Sequence, residues 1–247
     1  MQYALLGRTG VRVSRITLGT ASLGVAPTER DAPALFKRAL DAGINSFDCA
    51  NGYGNQSRFD LPGVDAPPAD VRPSAEEIMG KVLKGHRHDV IIATKLGERV
   101  DDGPNGGGRV EGGGLSRLHV MRQVERSLRR LGTDYIDIYY AHHPDPVTPV
   151  EESLRVMDDL VRQGKIRYFA VSNHAGWQVA EAVLTARRWG LASAPVANTV
   201  SYSLAVRRAE AEVIPACQRF EVSLMPFSPL GGGLLAGAAN TRRAVAG

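Results

Sequence analysis

The sequence predicts an α/β fold of the barrel type, built on a parallel sheet. Three observations carry that reading. Seven short apolar segments, near residues 16, 46, 92, 138, 168, 198 and 224, alternate with segments whose apolar residues recur at helical spacing. Strand–helix–strand connections of this kind are right-handed crossovers that pair their strands in parallel. The residues able to do chemistry stand at the C-terminal ends of several different strands. That favours a barrel, because an open sheet binds ligands mainly at one switch point. The chain of 247 residues is long enough for one such domain over 1–247.

Residues 3–6 and 11–13 flank the Gly-bounded turn 7–10 and form a hairpin. Residues 16–20 make a first strand. The segment 29–42 carries Ala32, Leu35, Phe36, Ala39 and Leu40 at helical spacing and is stopped by Gly43. The strand 44–47 runs into Asp48, with Tyr53 on the loop beyond. A polar loop over 54–73 contains four prolines; it either covers the strand ends or runs along the surface. Ser74 is placed to cap a helix that Gly85 stops. The strand 91–95 ends in Lys95. Seven glycines follow within 101–114. They lack a Lys-Ser/Thr ending and the G-x-G-x-x-G pattern, so they read as a flexible loop rather than a phosphate cradle. The alternation then becomes regular: helix 115–131, strand 135–142, helix 150–163 and strand 166–171, with Ser172 and Asn173 at its end. Helix 176–189, strand 195–200, helix 206–219 and strand 222–227 complete it. Pro215 is expected to kink the helix 206–219 or to mark its last turn.

Composition narrows the class of protein. Hydrophobic residues make up 43% and charged residues 23%, as in ordinary globular proteins. The net charge is +4. The densest basic group, from Arg122 to Arg130, alternates with apolar residues at helical spacing and reads as a solvated helix face, not a nucleic-acid surface. Two cysteines, Cys49 and Cys217, are too few for a disulfide framework and suit a reduced compartment. Cys49, Tyr139, Tyr140, Trp177 and Trp189 read as packing residues. The N-terminus lacks the charged and apolar regions of a signal peptide, and no apolar run approaches the roughly 20 residues that span a bilayer. A cytoplasmic protein with neither a membrane nor a nucleic-acid partner is expected, with no metal site.

Asp48, Tyr53, Lys95 and His142 would meet at one rim of the barrel. A carboxylate beside a phenol suggests an acid and the group that tunes it. Taken singly, each residue is more simply a turn, surface or core residue; together, at successive strand ends, they suggest a site.

The stretches 6–14 (LGRTGVRVS), 41–48 (DAGINSFD), 93–95 (ATK), 137–145 (DIYYAHHPD), 171–173 (VSN) and 226–233 (PFSPLGGG) complete the picture. In this order and spacing, the chain resembles the aldo-keto reductases over essentially its whole length, most closely the bacterial sugar- and aldehyde-reducing branches. The resemblance implies a (β/α)8 TIM barrel that reduces a small-molecule carbonyl to an alcohol with NADP(H). Tyr53 would be the general acid, its pKa lowered by Lys95, with Asp48 holding Lys95 and His142 orienting the carbonyl. Strand alternation puts His143 on the other face. Gly19, Thr20 and Asp48 would lie near the nicotinamide, Ser172 and Asn173 would hold its carboxamide, and Phe227 would stack on it. Ser228, Leu230 and Gly232 would follow the pyrophosphate. Two departures stand out. Thr199 replaces a glutamine expected to touch the nicotinamide. The last strand, the last helices and the basic segment for the 2′-phosphate have no counterpart, and the spacing of Arg242 and Arg243 supports them only weakly as substitutes. The resemblance therefore implies a C-terminally truncated domain: an incomplete barrel of about seven strands whose first and seventh strands keep unpaired edges. The alternative is a catalytically inactive nucleotide-binding or interaction module, as in potassium-channel β subunits of the same fold.

Overall fold

The computed structural model describes residues 1–98 and 114–237. Most of the Gly-rich stretch 101–114, as well as Arg242 and Arg243, lies outside the described residues.

A two-stranded antiparallel hairpin, β1 (Tyr3–Leu5) and β2 (Arg12–Ser14), precedes the main sheet. Seven parallel strands then follow in sequential order: β3 (Leu18–Gly19), β4 (Ser46–Asp48), β5 (Ile91–Leu96), β6 (Ile136–Ala141), β7 (Ile166–Ser172), β8 (Ala197–Ser201) and β9 (Ser223–Phe227). They curl into a half-barrel, consistent with an incomplete TIM barrel. Among the described residues six α-helices connect them: α1 (Ala32–Asp41), α2 (Ala75–Val82), α3 (Arg117–Leu131), α4 (Val150–Arg162), α5 (Gly176–Arg188) and α6 (Val213–Phe220). No described helix is long and apolar enough to cross a membrane.

Alternation along each strand separates two cores. Phe47, Ile92, Tyr139, Phe169 and Val171 point outward into the layer under the helices. Ala93, Ile138, Tyr140, Ala170 and Ala197 point inward, where Leu6 and Val13 of the hairpin region close the end opposite the site. One polar seam crosses the outer layer. Glu76 on α2 is fully buried; it accepts from the Thr94 hydroxyl on β5 at 2.6 Å and from Arg130 Nε on α3 at 2.7 Å. A buried carboxylate persists only when paired in this way. Arg130 therefore departs from the solvated face, on which Arg122 and Arg129 are exposed.

Ser74 caps α2 in a capping box with Glu77. Two expectations change. The helix expected over 206–219 is broken: a 3-10 turn at Arg208–Glu210 precedes α6. Pro215 stands in the first turn of α6, not its last, because first-turn N–H groups have no intrahelical partner and proline lacks one. Trp177 is 62% exposed rather than packed. The buried face of α5 is Val179, Ala182, Val183 and Ala186, and Trp177 falls off it.

Among the described residues β3 and β9 form the two sheet edges and do not pair with each other. They face across a cavity of about 530 Å³ lined by Gly19, Asp48, Tyr140, Thr199, Met225 and Phe227 among others.

Gly80 lets α2 approach α3 closely: a Cβ there would run into the Leu131 carbonyl oxygen. Alanine normally gains about 1 kcal/mol over glycine inside a helix. Here a backbone atom must move, at about 1–3 kcal/mol for overpacking. Gly80→Ala is therefore expected to lower the denaturation midpoint; a raised midpoint would show that the helices separate freely.

Candidate active site

Strand geometry delivers the site residues. Phe47 turns outward and stacks on Phe36, with ring centroids 5.3 Å apart, so its neighbour Asp48 turns inward. On β5, Thr94 is committed to Glu76 and Lys95 to the interior. In the parallel register Asp48 pairs with Ala93, which puts Lys95 two residues further up the rim. From there Lys95 Nζ donates to Asp48 Oδ2 and, at 2.8 Å, to the Cys49 carbonyl. Tyr53 follows a turn closed by its N–H to the Ala50 carbonyl, and its own carbonyl accepts from Ala75 at the start of α2. Its ring centre lies 4.9 Å from Lys95 Nζ, and its hydroxyl is 3.5 Å from His142 Nε2. Asp48, Tyr53, Lys95 and His142 are thus brought together.

The loop 54–73 packs over this group. The Phe59 ring meets the Tyr53 ring edge-on at 5.6 Å. The loop is gathered around the buried Arg72 guanidinium, which donates to the carbonyls of Gly54 (2.7 Å) and Pro67 (2.9 Å) and to Asp60 (2.8 Å).

Electrostatics refine the expected roles. Burial pushes the Tyr53 pKa above its ordinary value and outweighs the nearby Lys95 charge, which pulls it down. The expected lowering by Lys95 is therefore reversed, because desolvation of a phenolate exceeds one favourable charge. For Lys95 itself burial disfavours the ammonium, but Asp48 and then Tyr53 prevail and its pKa is raised. His142 is held down at about 3 by burial, then by Lys95 and His143, and is neutral near pH 7. Burial raises the Cys49 thiol well above its ordinary pKa, which suits packing.

Two further residues complete the rim. Glu98, three positions past Lys95, accepts from His143 Nε2 at 2.9 Å and lies 3.5 Å from His142 Nδ1. The His143 hydrogen bond is the main cause that lowers the Glu98 pKa to about 2. The strand-end rule that singled out Lys95 would have reached Glu98 had it been extended by one turn of chain. His143 is not on the other face: its ring stacks on His142 with centroids 4.6 Å apart. Strand β6 ends at Ala141, so alternation no longer governs residue 143.

The expected cofactor residues divide. Ser172 is buried at the end of β7 and pairs with Thr199. Asn173 adopts φ 60° and spends its amide N–H groups on the His142 carbonyl and Ser172 Oγ, both at 3.0 Å. Thr199 donates its hydroxyl to the Met225 carbonyl at 2.6 Å, and Thr20 donates to the Asp48 carbonyl at 2.8 Å. Both hydroxyls thus brace strands. Gly19 and Phe227 line the cavity between the sheet edges. Ser228, Leu230 and Gly232 sit in an exposed segment past β9. The Ser172 hydroxyl and Asn173 Oδ1, at and just past the end of β7, offer one donor and one acceptor, the pair that a carboxamide group needs.

A family model described as "Aldo/keto reductase family" matches residues 15–246. The chain belongs to the aldo/keto reductase family. It is 40% identical over 245 residues to an oxidoreductase, YrpG, of Bacillus subtilis, covering 97% of this chain and 69% of that protein. It is 35% identical over 242 residues to "Probable voltage-gated potassium channel subunit beta" of Oryza sativa subsp. japonica, covering 96% of this chain and 66% of that protein. It is 31% identical over 243 residues to L-glyceraldehyde 3-phosphate reductase of Escherichia coli K12, covering 96% of this chain and 64% of the relative. The chain thus spans about two thirds of the length of these aldo/keto reductase relatives.

The lowered pKa values predict acid lability of this aldo/keto reductase domain. His142 goes from an ordinary 6.5 to about 3, His174 from 6.5 to about 4, mainly by burial, and Glu98 from 4.5 to about 2. In those windows the unfolded chain binds more protons than the folded one, so stability rises with pH. It is expected to fall as pH drops below 6.5 and to keep falling towards 2. Denaturant midpoints against pH check this; a midpoint that stays level between pH 6.5 and 4 would show that His142 and His174 are not held neutral by the fold.

Proposed function

We propose that the chain is an NADP(H)-dependent oxidoreductase that reduces an aldehyde or ketone to an alcohol, with its active site at the rim holding Asp48, Tyr53, Lys95 and His142. The observation that carries the reading is the Lys95 ammonium, buried against Asp48 and set beside the Tyr53 phenol. A raised phenol pKa keeps Tyr53 protonated at neutral pH, as a general acid must be before reaction. Tyr53 gives its proton to the carbonyl oxygen, and Lys95 stabilises the phenolate left behind. Asp48 keeps Lys95 charged and in place. Neutral His142, with Nε2 turned toward the Tyr53 hydroxyl, donates to the same carbonyl oxygen and orients it. Ser172 and Asn173 would hold the nicotinamide carboxamide, Gly19, Thr199 and Phe227 would border its ring, and Ser228, Leu230 and Gly232 would hold the pyrophosphate. A bound nicotinamide cofactor supplies the hydride. The loop 54–73 shields the site from water through Phe59.

The Escherichia coli relative acts, by its name, on a small phosphorylated aldehyde, which makes short aldehydes the first substrates to try. Consumption of NADPH with such aldehydes is the test. Tyr53→Phe is expected to reduce kcat by about 100-fold or more, the usual contribution of a positioned acid, with NADPH binding retained. Wild-type-like turnover in Tyr53→Phe would remove Tyr53 as the acid.

The rice relative, named as a channel subunit, favours a second reading in which the module binds nucleotide and a partner without turnover. Saturable NADPH binding with no consumption across a panel of aldehydes and ketones would select it.

A further inference from the structure

Three potential ligands, Glu98, His142 Nδ1 and His143, lie close together, while His142 Nε2 faces the Tyr53 hydroxyl. Glu98 Oε1 is 3.5 Å from His142 Nδ1 and 2.9 Å from His143 Nε2, and one ligand atom from each residue falls within 4.8 Å of the others. His142 is only 8% exposed, and its Nδ1 is buried without a hydrogen-bond partner. A carboxylate oxygen facing an imidazole nitrogen with no hydrogen bond between them is a poor arrangement in a low dielectric, and a cation between them relieves it.

We propose that Glu98, His142 and His143 form a site for a divalent transition-metal ion, best suited to Zn²⁺. Two imidazoles and one carboxylate are a donor set that zinc accepts and that magnesium and calcium, which prefer oxygen, do not. Bonds of about 2.0–2.2 Å place tetrahedral ligands roughly 3.5 Å apart, the separation already present between Glu98 and His142. His143 must tilt out of its stack on His142, which its 21% side-chain exposure permits. Water takes the fourth position. Arg58, whose guanidinium is 3.6 Å from Glu98 Oε2, opposes the ion and sets the affinity down. Zinc on Nδ1 also leaves the ring proton on Nε2, the nitrogen that faces Tyr53, so occupancy fixes the His142 tautomer.

The test is isothermal titration of the purified chain with zinc chloride, alongside magnesium chloride; it needs no turnover, so it stands apart from the proposed reductase activity. One equivalent of zinc and no magnesium are expected to bind. His143→Ala and Glu98→Gln are each expected to weaken zinc binding by about tenfold or more, Arg58→Gln to tighten it, and His86→Ala with His88→Ala to leave it unchanged. Thermal transitions without zinc verify that each variant folds. In the wild-type chain, zinc is expected to shift the ring-proton NMR signals of His142 and His143 alone among the six histidines. Absence of stoichiometric binding, unchanged affinity in both ligand variants, or shifts confined to other histidines would overturn the proposal.

Discussion

Lys95 carries an ammonium group into a place where its side chain is 4% exposed, and everything at the rim depends on how that charge is held. A buried cation is unfavourable by several kcal/mol unless paired and hydrogen-bonded. Asp48 provides the pair and the Cys49 carbonyl a further acceptor. The contact ties β4 to β5 at their C-terminal ends and fixes a positive charge under Tyr53. The same charge is one reason that His142 is neutral. Burial keeps both groups that face a carbonyl in the proposed reaction in their neutral forms, and the Lys95 charge opposes it at Tyr53 and adds to it at His142.

The pair can hold its geometry because its surroundings are braced from outside. Thr20 fastens β3 to the Asp48 carbonyl. Behind β5, Thr94, Glu76 and Arg130 form a buried polar seam that joins the strand to α2 and α3. Above it, the Arg72 guanidinium gathers the loop 54–73 by donating to the carbonyls of Gly54 and Gln56, eighteen and sixteen residues back along the chain. These side chains do no chemistry, but they limit the freedom of the strand ends on which the site stands.

The half-barrel leaves an open interior between its two edge strands. Tyr140 and Met225 fill the interior below Lys95, joined by the Tyr140 hydroxyl to the Met225 sulfur at 3.1 Å. Above them the space between β3 and β9 widens into the cavity lined by Gly19, Asp48, Thr199 and Phe227. Thr199 joins this wall to the end of β7, pairing with Ser172 and accepting from the Asn173 N–H at 2.8 Å.

Much of this was legible in the sequence. Alternating apolar periods marked the strands and helices, Gly43 and Gly85 marked helix ends, and Asp48, Lys95 and His142 could be read as strand-end residues. Those signals are local: they depend on side-chain period and on backbone preferences of adjacent residues. The misreadings were of another kind. Pro215 is expected to kink a helix over 206–219 or to mark its last turn, and the 3-10 turn before α6 puts it in a first turn instead. His143 was assigned by alternation beyond the point where the strand stops. The proton states of Tyr53 and His142, the partnership of Glu98 with two histidines and the covering role of Phe59 were decided by tertiary structure alone. Desolvation and charge act through space, between groups that are distant along the chain and meet only when the sheet curls.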